Sequence, residues 1–501
     1  MSRGRRYDSE PKLNMKKVFG VAIAFAVLIM VIFSIVKLIK NHKDANTLST
    51  TAYFTALDNG KWGVINNQGN VIIEPTYDEM IVIPNSQKDI FICTYDVNDT
   101  DNTYKTKVLN SKGETVFSEY ESVEAVDNYD SKGNIWYEED ALKVKKDGKY
   151  GLINYKGENI LPTQYDEITT LKGVKNSIII AKEGNVGLCN SLGEIIIEPT
   201  YSKILKYSDE YQDGYVVATA EGKYGLMSSN KAVLLDPIYD EITYVGSQDY
   251  YGVKSEGKNS ILDKDKNVVF TGDYDSLVNI SGDNIVVKKA NKYGIVDKAG
   301  NKKVDLTYDD LRYAFSDNYI AKKDNKYGII NVNNEQKLEI KYANVNYNKA
   351  GSFIQADVDD IESVLLNTNF EQKASGVVSE INEIKGYIRV RLEQDYKYYN
   401  FKLEEKTNTE ILTGNTLFLK KENGKYGYVN KDGEKVVDYI YDDAVEQNTY
   451  GYCAVKQNGT WGSINNTGKI EQETNVNLDN NTEINFIGKW HLSDVGNYYT
   501  K

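Results

Sequence analysis

Two histidines, His42 and His491, are all the sequence offers for imidazole chemistry. A Ser-His-Asp or Cys-His nucleophile would have to recruit one of them, and neither sits in a recognisable setting. Carboxylates are plentiful and often adjacent, as in Asp78-Glu79, Asp166-Glu167, Asp240-Glu241 and Asp309-Asp310. Glycoside cleavage needs one singular pair of carboxyl groups; these pairs recur along the chain, so turn or solvated roles are expected of them. Asp96, Asn98, Asp99 and Asp101 have the alternating spacing of a calcium loop but lack its sharp-turn glycine and closing glutamate, which predicts a solvated loop. Cys93, Cys189 and Cys453 are odd in number and far apart, fitting small buried apolar residues better than a disulfide or metal framework. No phosphate-cradling glycine loop or H-E-x-x-H occurs. The expectation is a chain with no catalytic, cofactor-binding or metal-ligating residues.

What the sequence does contain is a repeated phrase, and a fixed period decides the fold before anything else does. Gly148-Lys149-Tyr150-Gly151-Leu152-Ile153-Asn154 echoes Gly60-Lys61-Trp62-Gly63-Val64-Ile65-Asn66. Aromatic-glycine anchors stand at Trp62-Gly63, Tyr150-Gly151, Tyr224-Gly225, Tyr293-Gly294, Tyr327-Gly328, Tyr426-Gly427 and Trp461-Gly462. Worn copies at Thr106, Val186, Asn259, Ser363 and Tyr399 fill the gaps, giving about twelve units. Fifteen residues after an anchor comes a tyrosine, most often followed by aspartate: Tyr77, Tyr165, Tyr201, Tyr239, Tyr274, Tyr308, Tyr342 and Tyr441. Length varies only between that tyrosine and the next anchor, as it should if a packed element is constant and a surface loop absorbs insertions.

Within one unit, Leu142 and Val144 alternate with lysines, Asp147-Gly148 supplies a turn, and Tyr150, Leu152 and Ile153 follow. Alternation on both sides of Asp-Gly predicts a hairpin. Asn59-Gly60, Glu221-Gly222, Asn423-Gly424 and Asn458-Gly459 are read as the same turn. A second turn at Tyr155-Lys156-Gly157 leads into a third strand, which Pro75, Pro162, Pro199 and Pro237 are expected to close. Each unit is thus an antiparallel meander of three to four strands. The anchors are expected to pack between units, and Asp78, Asp166, Asp240 and Asp442 of the tyrosine-aspartate pairs (Tyr77, Tyr165, Tyr239, Tyr441) to cap turns.

Ahead of the repeats lies a basic tail, residues 1–17, then an uncharged run from Val18 to Val36. Nineteen residues of helix reach about 28 Å, close to the hydrocarbon thickness of a bilayer. Basic residues follow the run where a signal-peptide cleavage site would stand, so residues 18–39 are predicted to be an uncleaved anchor. The basic tail favours a cytoplasmic N-terminus, which places the remainder outside the cell membrane. Residues 40–52 form a tether, 53–470 the repeat array and 471–501 a C-terminal cap. Beyond residue 40 the chain carries 52 basic against 71 acidic residues, a net −19, which argues against nucleic acid and anionic polymers as partners.

The combination Gly-Lys-Trp/Tyr-Gly-hydrophobic-Ile-Asn, then Gly, then Ile-Ile-x-Pro-x-Tyr-Asp resembles the WG-repeat family over roughly residues 53–470. The resemblance implies propeller-like β repeats in a surface or envelope protein that binds or scaffolds. The expected fold is an all-β repeat protein, β-propeller-like or an open β-superhelix, preceded by one transmembrane helix. Its expected role is a non-catalytic module presenting a repeat surface to an envelope protein partner. Cell-wall glycan or peptidoglycan binding is the alternative, motivated by 40 tyrosines. A glycoside-cleaving propeller comes third, because it would need a non-repeating pocket.

Overall fold

The structure, a computed structural model, describes residues 52–501 apart from 99, 102, 131–132, 212, 393–394, 479–483 and 494–497. The expected basic tail, membrane helix 18–39 and all but the end of the tether lie outside these residues. Among the described residues, no helix is long and apolar enough to cross a membrane.

The chain is a nearly all-β repeat protein built of many small antiparallel sheets, none of which closes into a barrel among the described residues. All twelve anchors fall on strands. Most sheets are four-stranded meanders, such as Glu167–Thr170, Ile178–Lys182, Asn185–Cys189 and Ile195–Tyr201 in that spatial order. One seven-stranded sheet joins two meanders through the long strand Gln372–Asn382.

Hairpin chemistry sets the first two turns of a unit. Asn59-Gly60, Asp147-Gly148, Asn423-Gly424 and Asn458-Gly459 each hold two successive positive φ angles, the requirement of a two-residue turn that matches strand twist. Glu221-Gly222 departs from expectation. Ala218 pairs with Tyr224 across five intervening residues, and only Gly222 has positive φ, with its N–H bonded to Thr219 O. The second turn is capped by the asparagine that ends the repeated phrase. Asn154 Oδ1 accepts from the N–H groups of Lys156 and Glu158 at 2.9 and 3.0 Å, and Asn66, Asn190, Asn331, Asn400 and Asn430 do the same.

The prolines do not close the third strand as expected. Pro75, Pro162, Pro199 and Pro237 lie inside Val71–Tyr77, Asn159–Tyr165, Ile195–Tyr201 and Val233–Tyr239. A bulge explains it: Trp62 pairs with Tyr77 and Val64 with Ile73, so two residues on one strand face four on the next. Proline is tolerated where the ladder is interrupted.

Apolar side chains from successive units meet between sheets. One such cluster joins Val286, Ile295 and Val304 to Leu311, Tyr319, Ala321 and Ile330 of the following sheet. Each unit therefore buries its face only against its neighbours, the way a repeat array escapes the size limit of a single core. Fully burying each such aliphatic side chain contributes about 1.5–3 kcal/mol.

The C-terminal segment does more than cover an edge. The last repeat strand runs on to Val476, and Tyr499–Thr500 then pairs in parallel with the first strand, Tyr53–Asp58. Phe486–Ile487 and Trp490–Leu492 complete this six-stranded sheet. The two ends of the array thus share one set of hydrogen bonds.

Candidate binding groove

The anchors and the tyrosines fifteen residues on are cross-strand partners: Trp62 with Tyr77, Tyr150 with Tyr165, Tyr224 with Tyr239, Tyr293 with Tyr308, Tyr327 with Tyr342 and Tyr426 with Tyr441. Trp461 pairs at the same offset with Val476. Tyr426 and Trp461 are buried and Trp62, Tyr150, Tyr224, Tyr293 and Tyr327 half-buried, several of them beneath a lysine from the adjoining strand, such as Lys145 over Tyr150 at 5.4 Å and Lys322 over Tyr327 at 5.2 Å.

The glycine beside each anchor has an ordinary φ, so its role is space. The bulged strand arches over it, and a Cβ on Gly63, Gly151, Gly187, Gly225, Gly294, Gly328 or Gly427 would lie 2.5–2.9 Å from a carbonyl oxygen of that strand.

Four of the aspartates after the tyrosine latch two units. Asp166 receives Lys149 from its own unit on one oxygen and the N–H of Glu183, in the next unit's hairpin turn, on the other. Asp240, Asp309 and Asp442 repeat this with Lys223 and Glu256, Lys292 and Asp324, and Lys425 and Asn458. The turn N–H bonds span 2.7–2.9 Å. Asp78 pairs with Lys61. The lysine, and secondly the turn N–H, hold the four latch carboxyls below their ordinary value of 3.8. A carboxyl whose folded pKa is depressed stabilises the fold above the unfolded value and loses that stabilisation as pH falls through the folded one. Acid titration followed by tyrosine fluorescence should therefore show stability falling below pH 3.8. A quadruple Asp→Asn variant should be less stable at neutral pH and show a shallower acid limb.

The remaining chemistry-bearing residues are accounted for locally. Asp96 is paired with Lys105 at 2.8 Å and Asn98 donates to Asp101 at 3.0 Å; Asp99 is outside the described residues. Cys93, Cys189 and Cys453 are free and buried, and burial pushes the Cys93 thiol up to about 11 and that of Cys189 to about 12. His491 Nε2 meets Thr500 Oγ1 at 2.6 Å inside the C-terminal closure.

A non-repeating arrangement lies where the repeat is worn, between strand Tyr387–Leu392 and the C-terminal segment. Three neighbouring cavities of about 400, 410 and 500 Å³ share Tyr398 and Glu446 in their walls. Glu446, Gln447 and Asn448 form a bracket between elements. Glu446 accepts from Tyr398 Oη, Asn408 Nδ2 and the N–H of Leu419, each at 3.1 Å. Gln447 Oε1 accepts from Thr416 N–H at 2.7 Å, and Asn448 Nδ2 donates to Phe486 O at 2.7 Å. The short helix Asn408–Ile411, with its Thr407 capping box, delivers Asn408. Burial raises the Glu446 carboxyl, while its donors and Arg389 pull the other way.

Arg389 lies over the Tyr396 ring at 5.2 Å, with Nη2 3.5 Å from Glu380 Oε2, and Tyr387 Oη donates to the same glutamate at 2.9 Å. Lys397, Lys406, Lys420 and Lys421 line the second cavity. Ile384, at the tip of the hairpin beside the third, is 100% exposed. Sequence reading missed these residues. Their signal was the loss of the repeat itself: the stretch with no aromatic-glycine pair between Tyr327 and Tyr426 is the one that contributes most of them.

A profile described as the WG containing repeat matches residues 62–85, 150–185, 187–223, 224–258, 293–327 and 426–461. No curated protein matches the chain. Among solved structures, the chain is similar to a eukaryotic initiation factor at 7% identity, over 68% of this chain and 97% of that one, with TM-score 0.32. It is also similar to Hsv2 of Kluyveromyces lactis at 12% identity, over 51% and 90%, with TM-score 0.28. PorZ, a surface component of the type-IX secretion system of Porphyromonas gingivalis, aligns at 10% identity over 74% and 54%, with TM-score 0.23. The repeated phrase, its cross-strand geometry and these six matched copies make the chain a WG-repeat protein.

Proposed function

We propose that this chain is a membrane-anchored, non-catalytic binding module, a closed ring of propeller-like units offering the groove beside Glu446 to an extended segment of a protein partner. The observation that carries the reading is a run of three adjoining cavities that share Tyr398 and Glu446, where the worn units between Tyr327 and Tyr426 meet the matched repeat 426–461. Binding sites are concave, with a few convergent polar groups on an apolar wall. Lys397 and Lys406 on the wall already pair with Glu405 and Glu404; Lys420 and Lys421 are the cations that favour a segment bearing carboxylates, and the exposed Ile384 at the rim adds an apolar contact. Glu446 supports a structural role over a catalytic one, because three protein donors occupy its oxygens. The uncharged run Val18–Val36 supports the anchor, and the shared sheet of the two ends supports the ring.

The test is cross-linking in membranes followed by detergent extraction. Proteins recovered with the parent chain should be lost with Ile384→Asp combined with Lys421→Glu, while thermal melting is unchanged. Equal recovery by the double variant, or by residues 1–52 alone, would sink the groove; a chain found in the soluble fraction would sink the anchor.

A further inference from the structure

The strand beyond each framework tyrosine starts two residues after it, as at Glu241, Ser276, Asp310 and Asn344. The fifth residue after Tyr239, Tyr274, Tyr308 and Tyr342 is Tyr244, Asn279, Tyr313 and Tyr347. All four line one cavity of about 400 Å³. The same position holds Thr170, Lys206 and Glu446 elsewhere, so an invariant frame carries one variable residue per unit to the face where successive first strands converge. Three of four neighbouring units supply a tyrosine there.

Each of those rings is braced by a second one: Tyr244 by Tyr207 at 5.5 Å, Tyr313 by Tyr319 at 5.8 Å and Tyr347 by Phe315 at 4.7 Å. Rings held this way are pre-organised contact surfaces with little rotamer freedom left to lose on binding. Yet the Tyr244, Tyr313 and Tyr347 hydroxyls have no hydrogen-bond partner among the described residues. Asn279, packed over Gly246 where a Cβ would collide with its carboxamide, has a buried Oδ1 without a partner.

The cations on the wall, in contrast, are already neutralised. Arg312 is 3.0 Å from Asp310 and Lys349 is 3.0 Å from Glu210. Tyr211 stacks on one face of Tyr244 at 6.3 Å, so what the cavity leaves free is the remaining ring faces, phenol hydroxyls and amides, which match the C–H faces and hydroxyls of uncharged sugars and offer nothing further to an anion.

We propose that this cavity binds a neutral oligosaccharide, with sugar rings laid on Tyr244, Tyr313 and Tyr347 and hydroxyls bonded to the phenols and to the Asn279 and Asn346 amides. The site is separate from the groove beside Glu446, so loss of the protein partner there leaves it untouched.

The experiment is calorimetry on the full chain in detergent, titrated with cellohexaose, chitohexaose and, as the charged control, hexagalacturonate. At least one neutral hexasaccharide should bind with an affinity that salt does not change, since no ion pair forms. Tyr313→Ala should weaken it about tenfold or more. Tyr313→Phe and Tyr347→Phe keep the rings and the fold, and each should weaken it by a smaller factor through the lost hydroxyl. No binding of either neutral sugar overturns the proposal. So does binding of the charged sugar alone, or unchanged affinity in Tyr313→Ala with a parental melting curve.

Discussion

Gly294→Ala is expected to destabilise the array by about 3 kcal/mol, at the upper end of the usual cost of overpacking. The added Cβ would meet Val304 O at 2.5 Å and Asp305 main-chain carbon at 3.0 Å. Both contacts are backbone, so no side chain can swing aside, and the strand Lys302–Tyr308 would have to lift from Lys292–Asp297. That would part the pairing of Tyr293 with Tyr308 and draw Asp309 away from Lys292. Gly60→Ala is the matched control. Its Cβ enters open space, but φ is +75°, so it should cost only the left-handed backbone strain of about 1–2 kcal/mol. Chemical denaturation of both variants decides between steric and conformational accounts of the repeat's glycines. Equal losses would remove the steric one.

Trp490→Ala should be costlier, about 3–5 kcal/mol, the range for emptying a buried aromatic site. Trp490 is 3% exposed and its indole N–H donates to Gly69 O at 3.1 Å. It packs with Ala56, Ile65, Ile487 and Tyr499, side chains drawn from both ends of the chain. Truncation after residue 483 should go further and leave Tyr53–Asp58 as an unpaired edge. Hydrogen exchange resolved by peptide is the measurement. Protection should collapse in residues 53–66 in both variants while strands such as Asn318–Lys323 keep theirs. Uniform loss everywhere would mean that the closure is not a local seal.

The repeat frame was legible in the sequence because it is local. Alternation around Asp147-Gly148 predicts a hairpin from a dozen residues, and the fifteen-residue offset predicts a constant element without saying what it is. The structure gives its meaning: Tyr150 and Tyr165 are opposite each other, and the bulge in between consumes the extra residues. Pro162 misled because proline in a strand reads as a stop, and the bulge that admits it is set by the neighbouring backbone. Asp166 reads as a turn cap, and it does bond a turn N–H, though of the following unit. The groove beside Glu446 was not legible, since its walls join Arg389, Leu419 and Phe486 across three sheets. Neither were the cavity tyrosines, which look like any others until the frame assigns them a common position.

Parallel pairing of Tyr499–Thr500 with Tyr53–Asp58 has a consequence for synthesis. The partner of the first repeat strand lies beyond every repeat unit in the chain, so that strand waits with its edge open while every later unit is made. Unpaired edges recruit other chains, and contacts this distant in sequence form late. Nascent molecules are thus most prone to join one another in the interval before residue 500 emerges.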